Sequence, residues 1–419
     1  MIALAIFSLT FAGITLAKVP FVRLDRPAIA FLGAVAMVLF GVLTFPQAIS
    51  VIDWDTIALL LGMMIVIGAL QQDGYTQALA AALFKPAKTG TQLLVVIVVF
   101  TAVASAFLVN DAVVLVLTPI VIGVCRARGF NPVPFLMASA MASNVGSTAT
   151  ITGNPQNVLI GIKSGIAFGK FLLALLPVAL AAGAILVLLI RVLYHGEMGQ
   201  PPLAREKLDA ALPPVAGRPE TRVRVRPSAL IVALLVLAFI FSPWLGMGLS
   251  LIALAGAGLS LATSRSWPAE VFAQVNWVLL LFFAGLFVVI FGAVHAGLFD
   301  ALIQRVGFQD GFAGIAILHL TSMVMSQVVS NVPFTMLMLP VMGAHSSDAL
   351  WLSLAAGATL AGNLTLIGSV ANLIVAESAA HDSVKLDFWE FLRLGLPVTL
   401  LTTLVSIVVI WGEYALGLI

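Results

Sequence analysis

Apolar residues run along this chain in blocks of membrane-spanning length, separated by short polar punctuation. A helix crossing a ~30 Å hydrocarbon core needs about 20 apolar residues. Runs near that length occupy 2–17, 28–45, 56–72, 171–195, 228–242, 246–263, 277–296 and 395–414. Between them lie less regular apolar stretches at 92–125, 133–162, 312–343 and 349–376, each broken in its middle by Asn, Gly, Pro or Ser. Lipid satisfies no exposed backbone group, so such breaks persist only where protein or a water-filled cavity surrounds them. The pattern predicts an all-α polytopic membrane protein with about ten transmembrane helices. It adds two re-entrant helical hairpins, 92–125 and 312–343, and two broken helices, 133–162 and 349–376.

Positive charge orients these segments, because Lys and Arg collect on the cytoplasmic side. Lys18, Arg23 and Arg26 mark the first loop as inside, and Asp53 with Asp55 belong to an outer loop. Lys85 and Lys88 return the chain inside, where Arg126 and Arg128 also lie. The stretch between those pairs therefore enters and leaves by one face, with its tip near Asn110. The 133–162 segment crosses outward and 171–195 returns to Arg191. Residues 196–227 are polar and Pro-rich, with Arg205, Lys207, Arg218, Arg222, Arg224 and Arg226, and read as a cytoplasmic linker. The second hairpin then enters from outside, and both termini are expected outside a bacterial inner membrane. The opening MIALAIFSLTFAGITLAKVP lacks a basic n-region and a clean cleavage site, so it reads as a span and not a signal peptide.

The chain is expected to be two inverted repeats, 1–195 and 228–419. Trp54, Gly62 and Gly74 match Trp277, Gly285 and Gly297, all 223 residues apart. VNDAVVLVLTPIV at 109–121 aligns with SNVPFTMLMLPVM at 330–342, an offset of 221. TATITGNPQNVLI at 148–160 aligns with NLTLIGSVANLIV at 363–375, an offset of 215. FGKFLLALLPV at 168–178 aligns with FWEFLRLGLPV at 388–398, an offset of 220. On the spans above, an odd number of crossings separates the copies, which inverts the second. That is the arrangement of many secondary transporters.

Composition narrows the function classes. Hydrophobic residues make up 61% of the 419 and charged residues only 9%, against about 25% charged in a soluble domain. With a net charge of +2 and no basic stripe, nothing is built to neutralise nucleic-acid phosphates. The lone Cys125 excludes an internal disulfide framework and a cysteine metal cluster; it reads as a small buried hydrophobe. No H-E-x-x-H or G-x-S-x-G motif occurs, so the chain is not expected to be a membrane enzyme.

The interruptions carry the candidate chemistry. Each hairpin tip sets Asn just before a new helix: Asn110 before Asp111–Val124, and Ser330 with Asn331 before a helix opening at Pro333. Ser, Asn and Asp suit N-caps and Pro suits the first helical turn. The exposed N–H groups and positive dipole end would hold an anion or a hydroxyl-rich solute, unless they are plain caps. Opposite them stand Asn144, Gly146, Ser147, Thr148, Thr150, Thr152, Gly153, Asn154 and Asn157 in one broken helix. Gly362, Asn363, Thr365, Gly368, Ser369 and Asn372 stand in the other. Unwound carbonyls and amide oxygens there could coordinate a solute or Na⁺, the Na⁺ near Asn144, Gly146, Asn363 and Gly368.

Asp111 is the one carboxylate placed at mid-membrane, where an ionisable side chain is costly and usually functional. It is the candidate for proton coupling, and its counterpart is Val332. His319, on a hairpin arm, reads as a packed histidine. Beyond H⁺ or Na⁺ as coupling ion no cofactor is expected. The partners are the lipid bilayer and a small-molecule or ion substrate, and a homodimer is compatible with the sequence.

At these residues the chain resembles the ion transporter superfamily that includes arsenite exporters, Na⁺/H⁺ antiporters and dicarboxylate symporters. VNDAVVLVLTPIV is similar to the Asn–Asp hairpin tip of bacterial arsenite exporters. SNVGSTATITGNPQNVLIGIKSGIAFGKFL and AGNLTLIGSVANLIVAESA are closer to the plant silicon efflux transporters and bacterial anion permeases. The resemblance implies export of silicic acid or arsenite in exchange for protons, with the tip and broken-helix residues as the site. A Na⁺-coupled symporter of inorganic or organic anions is the alternative. The tips here read Val-Asn-Asp and Ser-Asn-Val, unlike the Ser-Asn-Thr of the dicarboxylate symporters.

Overall fold

The computed structural model describes residues 1–16, 24–84, 86–198, 227–299, 308–343 and 346–419. Lys18, Arg23, Lys85 and the charged part of the expected linker, 199–226, lie outside the described residues. Among the described residues every regular element is helical. The first half contains α1 (Ile2–Leu16), α2 (Arg26–Leu39), α3 (Phe45–Ser50), α4 (Trp54–Gln72), α5 (Tyr75–Phe84), α6 (Gly90–Phe107), α7 (Asn110–Arg128), α8 (Pro132–Ser147), α9 (Pro155–Ser164), α10 (Phe168–Leu193) and the single turn α11 (His195–Met198). The second half contains α12 (Pro227–Ile240), α13 (Ser242–Leu245), α14 (Leu249–Thr263), α15 (Pro268–Phe272), α16 (Trp277–His295), α17 (Phe312–Val329), α18 (Asn331–Met342), α19 (Asp348–Ala361), α20 (Val370–His381) and α21 (Phe388–Ala415).

Local chemistry moves several boundaries from the expected ones. Gly41 at φ +72° ends the helix expected over 28–45, and Thr44 with Gln47 builds a capping box that opens α3 separately. α21 starts at Phe388 and not 395, because the Asp387 carboxylate accepts from the backbone N–H groups of Trp389 (2.9 Å) and Glu390 (3.1 Å). Among the described residues seven helices are long and apolar enough to cross a membrane: α4, α6, α7, α10, α16, α17 and α21. Three of them are arms of the two hairpins. Six shorter apolar helices of 10–17 residues accompany them.

The helices end and restart at each of the four expected interruptions. α6 and α7 reverse at Leu108–Val109; α17 and α18 reverse at Ser330. α8 and α9 are separated by residues 148–154, and α19 and α20 by 362–369. α6 packs on α8, α17 on α19, α7 on α8 and α20, α10 on α21, α4 on α14 and α16 on α2. Two buried apolar clusters divide the core, one centred on α4 and α16 and the other on α6 to α8.

The polar ties at the ends place the hairpin mouths. The Gln71 amide, at the end of α4, donates to the Ala112 carbonyl in the first tip (3.3 Å). From there α5 runs along α6 and α7 to Phe84, whose carbonyl accepts from Arg128 (2.8 Å). At the other end of α4, Asp53 pairs with Lys163, while Lys170 pairs with Asp348 at 2.7 Å and Ser347 bonds Asp310. The first hairpin thus opens at the Phe84 end and the second at the Asp53 end.

Candidate functional site

The first hairpin tip and the second break converge on one amide, that of Asn144 in α8. Its nitrogen donates to Asn363 Oδ1 (2.9 Å) and Asn372 Oδ1 (3.3 Å). Its oxygen accepts from Asn110 Nδ2 (3.2 Å) and the Ser369 hydroxyl (3.0 Å). All four hydrogen-bonding positions of the side chain are used. One residue therefore joins the first hairpin tip, its own broken helix, the second break and α20. Asn110, Asn144, Asn363, Ser369 and Asn372 are all buried.

Two further asparagines knot the breaks. Asn157 Nδ2 donates to the carbonyls of Ser147 (3.0 Å), Thr148 (3.4 Å) and Thr150 (3.0 Å). Asn372 Nδ2 donates to those of Gly362 (2.8 Å) and Thr365 (3.1 Å). Asn157 reaches back 10 and 7 residues to Ser147 and Thr150, and Asn372 reaches back 10 and 7 to Gly362 and Thr365. The bonds between the halves reciprocate. Asn144 binds Ser369 and Asn372; Thr359, its partner at an offset of 215, accepts from Asn154 Nδ2 (3.2 Å) and donates to Asn157 Oδ1 (3.3 Å).

The tips dock on equivalent glycines. The Asn110 backbone N–H donates to the Gly153 carbonyl (2.9 Å), and the Asn331 amide nitrogen donates to the carbonyls of Gly368 (3.1 Å) and Ala358 (3.2 Å). This corrects the expected capping. Asn110 and Asn331 are the first helical residues, not the caps, and the second helix opens at Asn331, not Pro333. The caps are Val109 at φ +56° and Ser330 at φ +72°, and neither makes a side-chain cap bond. A non-glycine residue in that region stores on the order of 1–3 kcal/mol, held here by the docked tip. Freed from capping, the two asparagines turn into the protein.

The other expected residues sort into distinct roles. Asn154 caps α9 by accepting from Asn157 N (2.8 Å) and donates to Ser147 Oγ (3.0 Å). Ser147 and Thr148 both bond back to the Asn144 carbonyl. Thr150 donates to the Ala106 carbonyl on the hairpin arm. Thr365 donates to Gln327 Oε1 (2.8 Å). Gly146 backs onto the Ala102 backbone, where an added Cβ would lie 2.0 Å from the carbonyl oxygen. Asp111, one residue beyond Asn110, lies outside the amide cluster; the residue is partly buried and its carboxylate meets no donor among the described residues.

Three site residues escaped sequence reading. Gln327 bridges Thr365 and the Ala361 carbonyl (2.8 Å), and Gln156 donates to Thr359 (3.4 Å) beside the Asn157 knot. Thr359 carried a signal, since it stands at the repeat offset from Asn144. Asn363 Nδ2 is buried and has no partner among the described residues.

The family described as CitMHS, citrate transporter, matches residues 4–357. The chain belongs to that family. A 46 kDa membrane protein of Mycobacterium leprae is 30% identical to this family member, across 98% of this chain and 99% of its own length. The silicon efflux transporter of Oryza sativa subsp. japonica is 30% identical across 93% of each chain. The expected likeness to silicon efflux transporters is met. In fold, the chain is similar to the YdaH transporter of Alcanivorax borkumensis, with a TM-score of 0.58 over 99% of this chain and 97% of that one, at 15% identity. The protein is a multi-pass membrane transporter of small molecules or ions, not an enzyme.

Proposed function

We propose that this transporter exports a small neutral metalloid acid, silicic or arsenous acid, across the bacterial inner membrane in exchange for protons. The observation that carries the reading is the chemistry of the convergence point. It is built from amides and hydroxyls, with no lysine or arginine in its hydrogen-bond network among the described residues. Uncharged ligands match uncharged donors and acceptors, because a dianion would need charge compensation in a low-dielectric site. The unspent groups suit a hydroxylated solute: Asn363 Nδ2 can donate to a solute oxygen, and the Asp111 carboxylate can accept from a solute O–H or take a proton.

Two inverted repeats, with both termini outside, accord with hairpins that open at opposite ends and with hydrogen bonds repeated at constant offsets. Such modules alternate between two openings, so solute and proton compete for Asp111 in turn. The rice relative, named for silicon efflux, supports the same direction.

The second reading is a Na⁺-coupled symporter of inorganic or organic anions, and the family's description, citrate transporter, favours its anionic substrate. One assay separates them: flux of silicic acid, arsenite, phosphate and succinate in proteoliposomes under separate H⁺ and Na⁺ gradients. Proton-driven movement of the first two is expected, and Asp111→Asn should abolish it while leaving the protein folded. Full proton-coupled flux by that variant overturns the role of Asp111; Na⁺-driven succinate flux overturns the substrate class.

A further inference from the structure

Apart from the central cluster, the second half contains a buried polar seam between α17 and α21. His319 on α17 is fully buried. Its Nδ1 lies 2.8 Å from the Ile315 carbonyl and its Nε2 lies 2.8 Å from the Ser406 hydroxyl of α21. A carbonyl only accepts, so Nδ1 carries a hydrogen and Nε2 is the nitrogen free to gain or lose one.

The two helices run antiparallel, since Phe312 at the start of α17 packs its ring on Trp411 near the end of α21 (5.5 Å). In that register His319, Ser322 and Ser326 of α17 run alongside Ser406, Thr402 and Thr399 of α21, with Ser322 turned toward Gly357 of α19. The spacings are i, i+3, i+7 on one helix and their reverse on the other, which keeps each set on one face. All six side chains are buried. Ser326 and Thr399 fall at the same level, seven residues from the His319–Ser406 pair, and both hydroxyls lack a hydrogen-bond partner among the described residues. Unpaired buried hydroxyls are costly; ordered water between them removes that cost. Ser326 is one helical turn from Ser330, the second hairpin tip. α19 closes the seam, with Gly357 lying against Ser322 and the His319 backbone.

We propose that His319 is a second proton seat, linked by the hydroxyls of this seam to the second hairpin tip. A proton arriving from water binds Nε2. Ser406 then turns its hydroxyl to accept from Nε2 and donates to the Thr402 carbonyl one turn back, a bond serine commonly makes in helices. The reverse rotation returns the proton to water. Each protonation state keeps its hydrogen bonds by rotating one O–H. The charged or titratable groups on the packed elements are the Met1 amine of the first segment, Asp348 on α19, and Glu390, Arg393, Glu413 and Tyr414 on α21; α18 has none. Asp348 is paired with Lys170. Glu413 stands two turns beyond Ser406, about 10 Å along the helix. The first half has Val98 at the position equivalent to His319 and Asp111 at its own tip. Asp111 at the first tip and His319 on the arm of the second hairpin therefore stand at different depths.

This inference rests on the proton-exchange reading. The test records solute flux and internal pH together in proteoliposomes of the full chain, with silicic acid and arsenite as probes. His319→Gln, whose amide can keep both hydrogen bonds, is expected to move solute down its own gradient with loss of coupled proton movement and of pH dependence. The double variant Ser326→Ala, Thr399→Val is expected to slow proton movement with solute affinity unchanged. Wild-type proton coupling and pH profile in folded His319→Gln overturns the inference while leaving Asp111 in place. Should His319→Gln fail to fold, wild-type coupling in the double variant overturns it instead. A wild-type protein that moves neither solute with protons overturns both readings.

Discussion

At the scale of single residues, three asparagines do different work with one side-chain type. Asn144 spends all its bonding capacity joining separate elements, whereas Asn157 and Asn372 each close a loop of their own chain. Replacing Asn157 by Leu strips donors from the carbonyls of Ser147, Thr148 and Thr150, all in a buried break. An unpaired buried carbonyl costs roughly 1–3 kcal/mol, so this variant should lose on the order of 3–5 kcal/mol. Asn372→Leu strips two carbonyls and should lose less. Thermal unfolding in detergent gives the order directly; equal midpoints for wild type and Asn157→Leu would contradict the knot.

The elements meet through close backbone approach as much as through polar bonds. Gly146 in α8 sits against Ala102 of α6 with no room for a Cβ, while Gly183 in α10 has nothing within 4 Å of where a Cβ would stand. Gly146→Val is expected to abolish folded yield and Gly183→Val to be tolerated, as read by size-exclusion chromatography. These elements show what the chain discloses about itself. The breaks were legible because Gly, Asn and Ser stand out inside apolar runs, and that contrast located the four helix interruptions. Helix starts at the tips were off because a positive φ at Val109 and Ser330 replaces side-chain capping, and no residue type announces it. Gln327 escaped because a single polar residue on an apolar arm looks like any other; only its bonds to Thr365 and Ala361 define it. Of the site, Asn110, Asn144, Asn363, Ser369 and Asn372 were readable, but their union on one amide depends on chain crossings that spacing does not encode.

For the whole molecule, the Lys163–Asp53 and Lys170–Asp348 pairs fasten one end of the protein. Both lysines flank the short α9–α10 connection, and one ties it to α4, the other to α19 across the halves. The Lys170 and Asp348 side chains are over a third exposed, at 43% and 35%, so the pair contributes only about 0–1 kcal/mol. Such a contact opens at little cost. Cysteines at 170 and 348, joined by a short crosslinker, are expected to stop solute flux in proteoliposomes, with recovery on cleavage; the native Cys125 is buried and should stay silent. Uninhibited flux through the crosslinked protein would show that this end need not part.

The asparagine knots also restrict where bending can occur. A discontinuous helix is ordinarily the natural place for a chain to flex, yet here each gap is laced shut by an amide reaching back 10 and 7 residues. Under the exchange proposed above, the interrupted segments would move as stiff units, with the pivot in the connections around them.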